Sequence, residues 1–173
     1  MVKIGQNDGM KKKLGITSVG FNPPTDTRLA VEAMTIAELT KRAPPEHFEK
    51  LQRADFYRLI GVHEGRTVPM VDFSTCEMQA TNWLLVRPGQ VFRYDFSSPW
   101  SGWMLVFRPD SLFAAGTQPA PDEFDLQSRL EDLASIHALH AEQHQWLSAS
   151  LQQLQQDSNL QAPVALRLSL IHI

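Results

Sequence analysis

The sequence predicts a β-rich α+β protein, in which a small antiparallel barrel or sandwich is followed by helices. Two observations support this fold class. Between residues 56 and 107, short runs of strand-forming residues are separated by turns, which is typical of antiparallel β proteins. After residue 116 glycine no longer occurs, and leucines recur at the spacing of an α-helix.

Length and composition limit the possible classes of protein. The 173 residues suit one domain of ordinary size, which can bury a core without disulfides or metals. Hydrophobic residues make up 43%, charged residues 20%, and the formal net charge is -3, as in a soluble globular protein. Cys76 is the only cysteine, which indicates a reducing, cytoplasmic setting. No apolar run approaches the roughly 18 residues of a membrane span.

The N-terminal region divides into an arm and a first element. Residues 1–26 are polar and contain Pro23-Pro24, so we expect a flexible arm. Residues 28–41 mix apolar and polar side chains and fit either a first strand or a short helix. Pro44 and Pro45 end this element because proline continues neither pattern.

The central region contains the predicted strands of the barrel. They cover residues 56–62, 67–73, 83–86, 91–96 and 103–107. We predict turns at His63–Arg66, where Gly65 is free to adopt a positive φ, and at Ser74–Glu77. Arg87-Pro88-Gly89-Gln90 predicts a type II turn, since proline fits its second position and glycine its third.

The C-terminal region has helical periodicity. Pro109–Ala115 predicts a short helix that Gly116 closes, and residues 118–125 read as a linker. Two further helices are predicted from leucines at helical spacing, namely Leu126, Leu130 and Leu133, then Leu147, Leu151 and Leu154. These apolar stripes need a partner, which is either the barrel of the same chain or the same helices of a second chain.

A search for catalytic chemistry finds no GxSxG, P-loop or GxGxxG motif. Cys76 has no identifiable histidine partner, which favours an idle thiol. His137, His140 and His144 have i, i+3, i+7 spacing on a predicted helix and could bind Zn²⁺ or Ni²⁺. The alternative is a solvated face or a helix seam. Because no second shell accompanies them, we predict no metal site.

Three segments carry a family resemblance. RADFYRLIGVHEGRTVPMVDF, LLVRPGQVFRYDF and GWMLVFRPDSL resemble the sensor domain of AraC-type (AraC/XylS) transcription regulators. The resemblance implies a cupin-like barrel or jelly roll over residues 27–116, then a linker and dimerisation helices over residues 117–167. It gives the leucines a role in homodimer contact: Leu126, Leu130, Leu133, Leu147, Leu151 and Leu154. The helix-turn-helix half of the family is expected to be truncated away, and residues 168–173 look like a non-native tail.

The sequence departs from the cupin pattern at the usual metal ligands. Gln52, Ala54 and Phe92 stand where many cupins have histidines, and these side chains are poor ligands or none. We therefore expect no cofactor and a metal-free pocket for a small molecule. Since alternate strand residues share a face, the predicted ligand-binding residues are Ala54, Phe56, Phe92, Tyr94 and Met104.

The expected function is that of a bacterial, cytoplasmic regulatory sensor. A sugar or other metabolite binds in the barrel, and the homodimer contacts DNA only through the absent C-terminal domain. We expect no catalytic residues and no membrane partner. Two alternatives remain open. One is a small cupin enzyme, either an isomerase or a dioxygenase, and the other is a ligand-free dimerisation module with a filled barrel.

Overall fold

A computed structural model describes residues 15–21, 31–109 and 128–159. The strands are β1 Thr17–Val19, β2 Val31–Thr35, β3 Gln52–Ala54, β4 Tyr57–Thr67, β5 Met70–Val71, β6 Ser74–Thr75, β7 Met78–Gln79, β8 Asn82–Val86, β9 Val91–Arg93, β10 Trp100–Phe107 and β11 Ile136–Ala138. The helices are α1 Ile36–Lys41, α2 Pro45–Phe48, α3, described over residues 128–132, and α4 Ala141–Asn159.

The strands form two sheets. One has the order β1-β3-β9-β5-β6 and the other the order β11-β8-β4-β10-β2, and β7 pairs with the end of β4. Neighbouring strands are antiparallel, except that β1 runs parallel to β3. The predicted class is confirmed, because two largely antiparallel sheets enclose a common core as a barrel and the helices are few.

The sheet that contains β4 has six strands when β7 is counted, and it has an apolar core on each face. Alternation along β4 places Ile60 and Val62 in the core between the two sheets, whereas Tyr57 and Leu59 belong to the core on the outer face. Helix α4 covers this outer face, where it packs against β2 and β10. The sheet is therefore buried on both sides, and neither core is complete without it.

The turn predicted at His63–Arg66 is wrong, because β4 continues through these residues. Gly65 has the expected positive φ of 85°, but it lies in an irregular part of the strand. Gly102 pairs with Val62 and Ser101 pairs with Glu64, so His63 is an extra residue in a β-bulge. A positive φ suits a bulge as well as a turn, and here the bulge is formed.

The next hairpin turns earlier than predicted. Strands β5 and β6 are joined by Asp72 and Phe73, whose φ angles are 46° and 68°, as a two-residue hairpin loop requires. Ser74–Glu77 is therefore not the turn, since Ser74 pairs with Val71. The type II turn is confirmed: Gly89 has φ 84°, and the Gln90 amide donates to the Arg87 carbonyl at 3.2 Å.

The N-terminal region combines both structures that the sequence allowed. Strand β2 leads directly into α1, and Thr35 caps the helix in a capping box with Glu38. Within the expected arm, Thr17–Val19 forms β1 on the edge of the first sheet. The other arm residues, 1–14 and 22–26, lie outside the described residues.

The C-terminal prediction is correct for one helix. Leu147, Leu151 and Leu154 lie on α4, and Leu130 lies on α3. Leu133 follows α3, and His137 lies in β11, so the three histidines do not share a helix. Leu126, residues 110–127 and residues 160–173 fall outside the described parts of the chain. No helix in the described parts is long and apolar enough to cross a membrane.

Candidate functional site

A small cavity of about 40 Å³ lies within the barrel, next to β1, α1 and α2. Its lining residues are Val19, Leu39, Arg42, Ala43, His47, Phe48, Gln52, Phe56, Arg58, Tyr94, Met104 and Val106. A cavity of this size holds roughly three water molecules. Its lining is mostly apolar, with a few polar groups, which is the usual composition of a small-molecule site.

The five predicted ligand-binding residues are all buried in the core between the sheets. Phe56, Tyr94 and Met104 line the cavity, whereas Ala54 and Phe92 belong to the surrounding core and are not among its lining residues. The Tyr94 hydroxyl donates to the Met104 sulfur at 3.3 Å. Period-two alternation therefore placed these side chains on the inner face, and their contact with a ligand stays a prediction.

Arg58 is the most deeply buried of the charged cavity residues that the sequence analysis missed. It lies on β4 between the inward residues Phe56 and Ile60, and its exposed fraction is only 2%. Its Nη2 donates to Gln52 Oε1 at 3.2 Å, while Nη1 has no hydrogen-bond partner. The same alternation that selected Phe56 would have found it, since positions 56, 58 and 60 share one face.

Aromatic rings flank the Arg58 guanidinium. Its central carbon lies 5.0 Å from the Phe56 ring centroid and 5.3 Å from that of Phe92, distances at which a ring face attracts a cation. Burial still lowers the pKa of Arg58, because it removes water from the charged form. An arginine remains protonated in proteins, so the barrel contains a buried positive charge.

Further basic groups surround the same cavity. Burial lowers the pKa of His47, and repulsion from Lys50 and Arg58 adds to the effect. Arg42 lies at the rim, where its Nη1 is 2.5 Å from Glu32 Oε1. The lining residues include two arginines and one histidine but no aspartate or glutamate. At neutral pH the positive charge of the lining is therefore mainly that of Arg58, because Glu32 pairs with Arg42 and the lowered pKa of His47 favours its neutral form.

A scan against family models identifies the relatives of this chain. The model described as the AraC-like ligand binding domain matches residues 36–170, which include most of the barrel and α4. The chain belongs to the family of AraC-like ligand-binding domains. The resemblance of its strand motifs to AraC-type sensor domains is thus confirmed.

Solved structures with similar folds include AraC-like and cupin proteins. The AraC-like transcriptional activator CuxR has 14% sequence identity and a TM-score of 0.41, with 68% of this chain and 41% of that chain covered. A cupin protein from Bacteroides fragilis has 18% identity and a TM-score of 0.28 over 41% of this chain and 58% of that one.

The plu4264 protein from Photorhabdus luminescens has 10% identity and a TM-score of 0.30 over 59% of this chain and 86% of that one. Curated proteins give no match. The similarity covers 41% of the CuxR chain, so this chain spans less than half the length of that activator.

The positions of cupin metal ligands do not suit a metal in this AraC-like domain. Gln52, Ala54 and Phe92 all point into the barrel interior or its core, where Gln52 donates to the His47 carbonyl at 2.9 Å. Alanine and phenylalanine offer no donor atom. In the described residues, no group of three His, Cys, Asp or Glu side chains is arranged to hold a metal ion.

A second cavity of about 780 Å³ lies on the outer face of the six-stranded sheet of the AraC-like domain. We call it the outer groove; it is lined by Leu59, Leu85, Leu105, Phe107, Arg129, Leu130, Leu133, His137, Leu139, Glu142, Gln143, Trp146 and Leu147. It is larger than the interior cavity, but its walls are dominated by leucine. Leu151 and Leu154 lie beyond it, fully buried against their own sheet.

Hydrogen bonds connect α4 to the barrel. His144 Nδ1 accepts from the Trp83 indole at 3.0 Å, and its Nε2 lies 3.3 Å from His63 Nδ1. Burial lowers the pKa of His144, and the nearby His63 lowers it further. At the other end of α4, Gln155 Nε2 donates to Glu38 of α1 at 2.7 Å. His144 is thus a core histidine of the helix–sheet contact.

Proposed function

We propose that this chain is the effector-sensing domain of a bacterial, cytoplasmic transcription regulator and that it is not an enzyme. The proposal rests on one observation above all: a domain of the AraC-like ligand-binding family contains an interior cavity with buried polar groups. Gln52, Arg58 and Tyr94 provide those groups, and apolar side chains provide the walls. A small molecule would be oriented by the former and enclosed by the latter.

The size of the cavity indicates how an effector would enter. Ligand pockets for drug-sized molecules usually have about 300 Å³ or more, whereas this cavity has about 40 Å³. Leu39, Ala43 and Phe48 close one side of it, and they belong to the α1–α2 segment. A larger effector would therefore have to displace that segment, and a very small one would fit without movement.

The contacts of α1 offer a route from the cavity to α4. Leu39 lines the cavity, and Glu38 beside it accepts a hydrogen bond from Gln155 on α4. An effector that binds better when α1 has moved would shift the population of α4 positions. In a regulator with a DNA-binding domain after α4, that shift would change how the DNA-binding domains are presented.

Homodimerisation belongs to the same proposal. Among the predicted contact residues, Leu130, Leu133 and Leu147 line the outer groove, and Leu133 is 44% exposed. Trp146 beside them is 50% exposed. These are the described apolar side chains that a second chain would bury. DNA binding would reside in a domain outside residues 36–170.

The test is a thermal-shift screen of the purified chain against a metabolite library, with divalent metals in parallel. A metabolite that raises the melting temperature in a saturable manner supports the sensor, because a ligand that binds only the folded state stabilises it. Ala43→Trp, which fills the cavity from its rim, should abolish the shift. Ala80→Trp, at an exposed site, should not.

Two other results would overturn the proposal. Stabilisation by a metal alone, together with turnover of a substrate, would favour the cupin enzyme. A screen with no stabilising compound would favour a filled barrel that acts only in dimerisation.

A further inference from the structure

Arg58 is a buried cation with no counter-ion among the described residues. Its side chain is almost completely inaccessible to water, and none of the described carboxylates forms an ion pair with it. Burying an unpaired charge is costly. We propose that the effector is a small monocarboxylate whose anionic group pairs with Arg58, an inference that rests on the interior cavity being the effector site.

The hydrogen bonds of Arg58 leave one nitrogen available. Nη2 is occupied by Gln52, whose own amide is held by the His47 carbonyl. The rings of Phe56 and Phe92 cover the guanidinium at 5.0 and 5.3 Å, so no additional donor or acceptor can approach through those rings. Nη1 is the buried nitrogen without a partner. A carboxylate oxygen is one of the acceptors that bind a guanidinium most strongly.

The rest of the lining favours an anion over a neutral ligand. Arg58 supplies the cavity's positive charge, since Arg42 pairs with Glu32 and His47 favours its neutral form, and no carboxylate lines the cavity. Glu32 contacts Arg42 but is not a lining residue. A neutral sugar would leave Arg58 without a counter-charge, whereas a carboxylate would neutralise it inside a medium of low dielectric constant.

The volume and the walls define the rest of the ligand. About 40 Å³ is room for roughly three water molecules, so even acetate needs part of the α1–α2 segment to move, and a short chain needs the least movement. Phe48, Met104 and Val106 would contact that chain. Phosphate fits less well, because a buried dianion needs more donors than one arginine nitrogen supplies. We therefore assign the site to short aliphatic monocarboxylates.

The inference is tested on the purified chain with acetate, propionate and butyrate, and with propionamide as the neutral match of propionate. Titration calorimetry and thermal shift are carried out at constant ionic strength with sodium chloride as the balancing salt. We expect saturable binding of at least one acid, no binding of propionamide, and about a tenfold or greater loss of affinity in Arg58→Met. The control Arg66→Met, at an exposed site, should bind as the wild type does.

Several outcomes would overturn the inference. Equal binding of propionamide and propionate would refute the carboxylate, and so would inorganic phosphate binding in preference to the acids. A neutral metabolite that binds in the barrel while every acid fails would refute the inference but leave the sensor function intact. Failure of the whole metabolite library would instead refute the sensor function. If Arg58→Met does not fold, the acid–amide comparison on the wild type still decides.

Discussion

The positively charged guanidinium of Arg58 lies inside the barrel, where it donates a hydrogen bond to Gln52 and lies close to the rings of Phe56 and Phe92. Replacing an incompletely satisfied buried charge by an apolar side chain of similar length often stabilises a protein. We expect Arg58→Met to raise the free energy of unfolding by on the order of 1 kcal/mol, since the lost bond to Gln52 offsets part of the gain. Urea unfolding without ligand measures it, with Arg66→Met as the control; clear destabilisation would contradict this expectation.

His144 predicts how stability depends on pH. Its pKa in the folded chain lies below the ordinary value of 6.5, because the side chain is buried and faces His63. Above pH 6.5, His144 is mainly neutral in both the folded and the unfolded chain, so the free energy of unfolding does not change with its titration. As the pH falls below 6.5, the unfolded chain takes up a proton that the folded chain resists, so stability decreases. His47 has a pKa shifted in the same direction.

Unfolding by urea between pH 8 and pH 5 measures this effect. The wild type should lose stability toward pH 5, and His144→Gln should lose less, because glutamine does not titrate. His47→Gln serves as the matched variant that reports the share of the second histidine. An equally steep loss in His144→Gln would show that His144 is not responsible.

At the scale of single residues, the sequence predicted side-chain direction better than chemical role. Alternation placed Phe56, Tyr94 and Met104 against the cavity. Arg58 has the same alternation, but charged residues are almost always found at the surface, so a pattern of apolar residues passes over it. Whether a carboxylate of the described residues reaches Arg58 depends on every neighbouring strand, and no local sequence feature encodes that.

At the scale of elements, the β4–β10 pair depends on Gly102, which lies against the backbone of Gly61 on the neighbouring strand. A Cβ atom on Gly102 would lie 1.9 Å from the Gly61 carbonyl oxygen, which is backbone and cannot rotate away. We expect Gly102→Ala to reduce the free energy of unfolding by about 3 kcal/mol or more, through strain in the strand pair. Thermal unfolding measures the change.

Gly20→Ala is the matched control for that substitution, because a Cβ atom there meets no atom within 4 Å. Its melting temperature should stay close to that of the wild type. Equal stability of Gly102→Ala and Gly20→Ala would contradict the prediction, because β4 and β10 would then accommodate the added methyl group without strain.

Strand and helix positions were largely predictable, while the connections between them were less so. Asn82–Val86, Trp100–Phe107 and α4 follow the expected runs, because burial against a sheet imposes a clear period. Gly65 was misread because a positive φ serves turns and bulges equally. The short strand β1 lies at a sheet edge and has only three residues, too few to show a period.

At the scale of the molecule, two of the exposed large apolar side chains in the described residues lie together beside the outer groove. Leu133 and Trp146 line it and retain 44% and 50% of their exposure. If this surface holds a homodimer together, Trp146→Glu should convert the dimer to a monomer, since a buried unpaired carboxylate opposes association. Sedimentation equilibrium at micromolar concentration measures the mass.

Gln152→Glu, exposed on the same helix, is the matched control for charge and should leave the dimer intact. A wild-type chain that remains monomeric throughout the concentration range would refute dimerisation through this domain. A dimer that survives Trp146→Glu would place the contact elsewhere on the molecule.

The sheet that separates the two cores also constrains the length of the chain. Each inward residue of β4 before the bulge is followed by an outward one, from Arg58 and Leu59 to Ile60. Deleting one residue from this part of β4 would reverse the direction of the side chains between the deletion and Val62. Deletion of Arg58, for example, would point Leu59 into the barrel and Ile60 toward α4. The extra residue His63 is different, because removing it merely straightens a bulge. We therefore expect the chain to fold after deletion of His63, and to fail to fold after deletion of a residue between Arg58 and Val62.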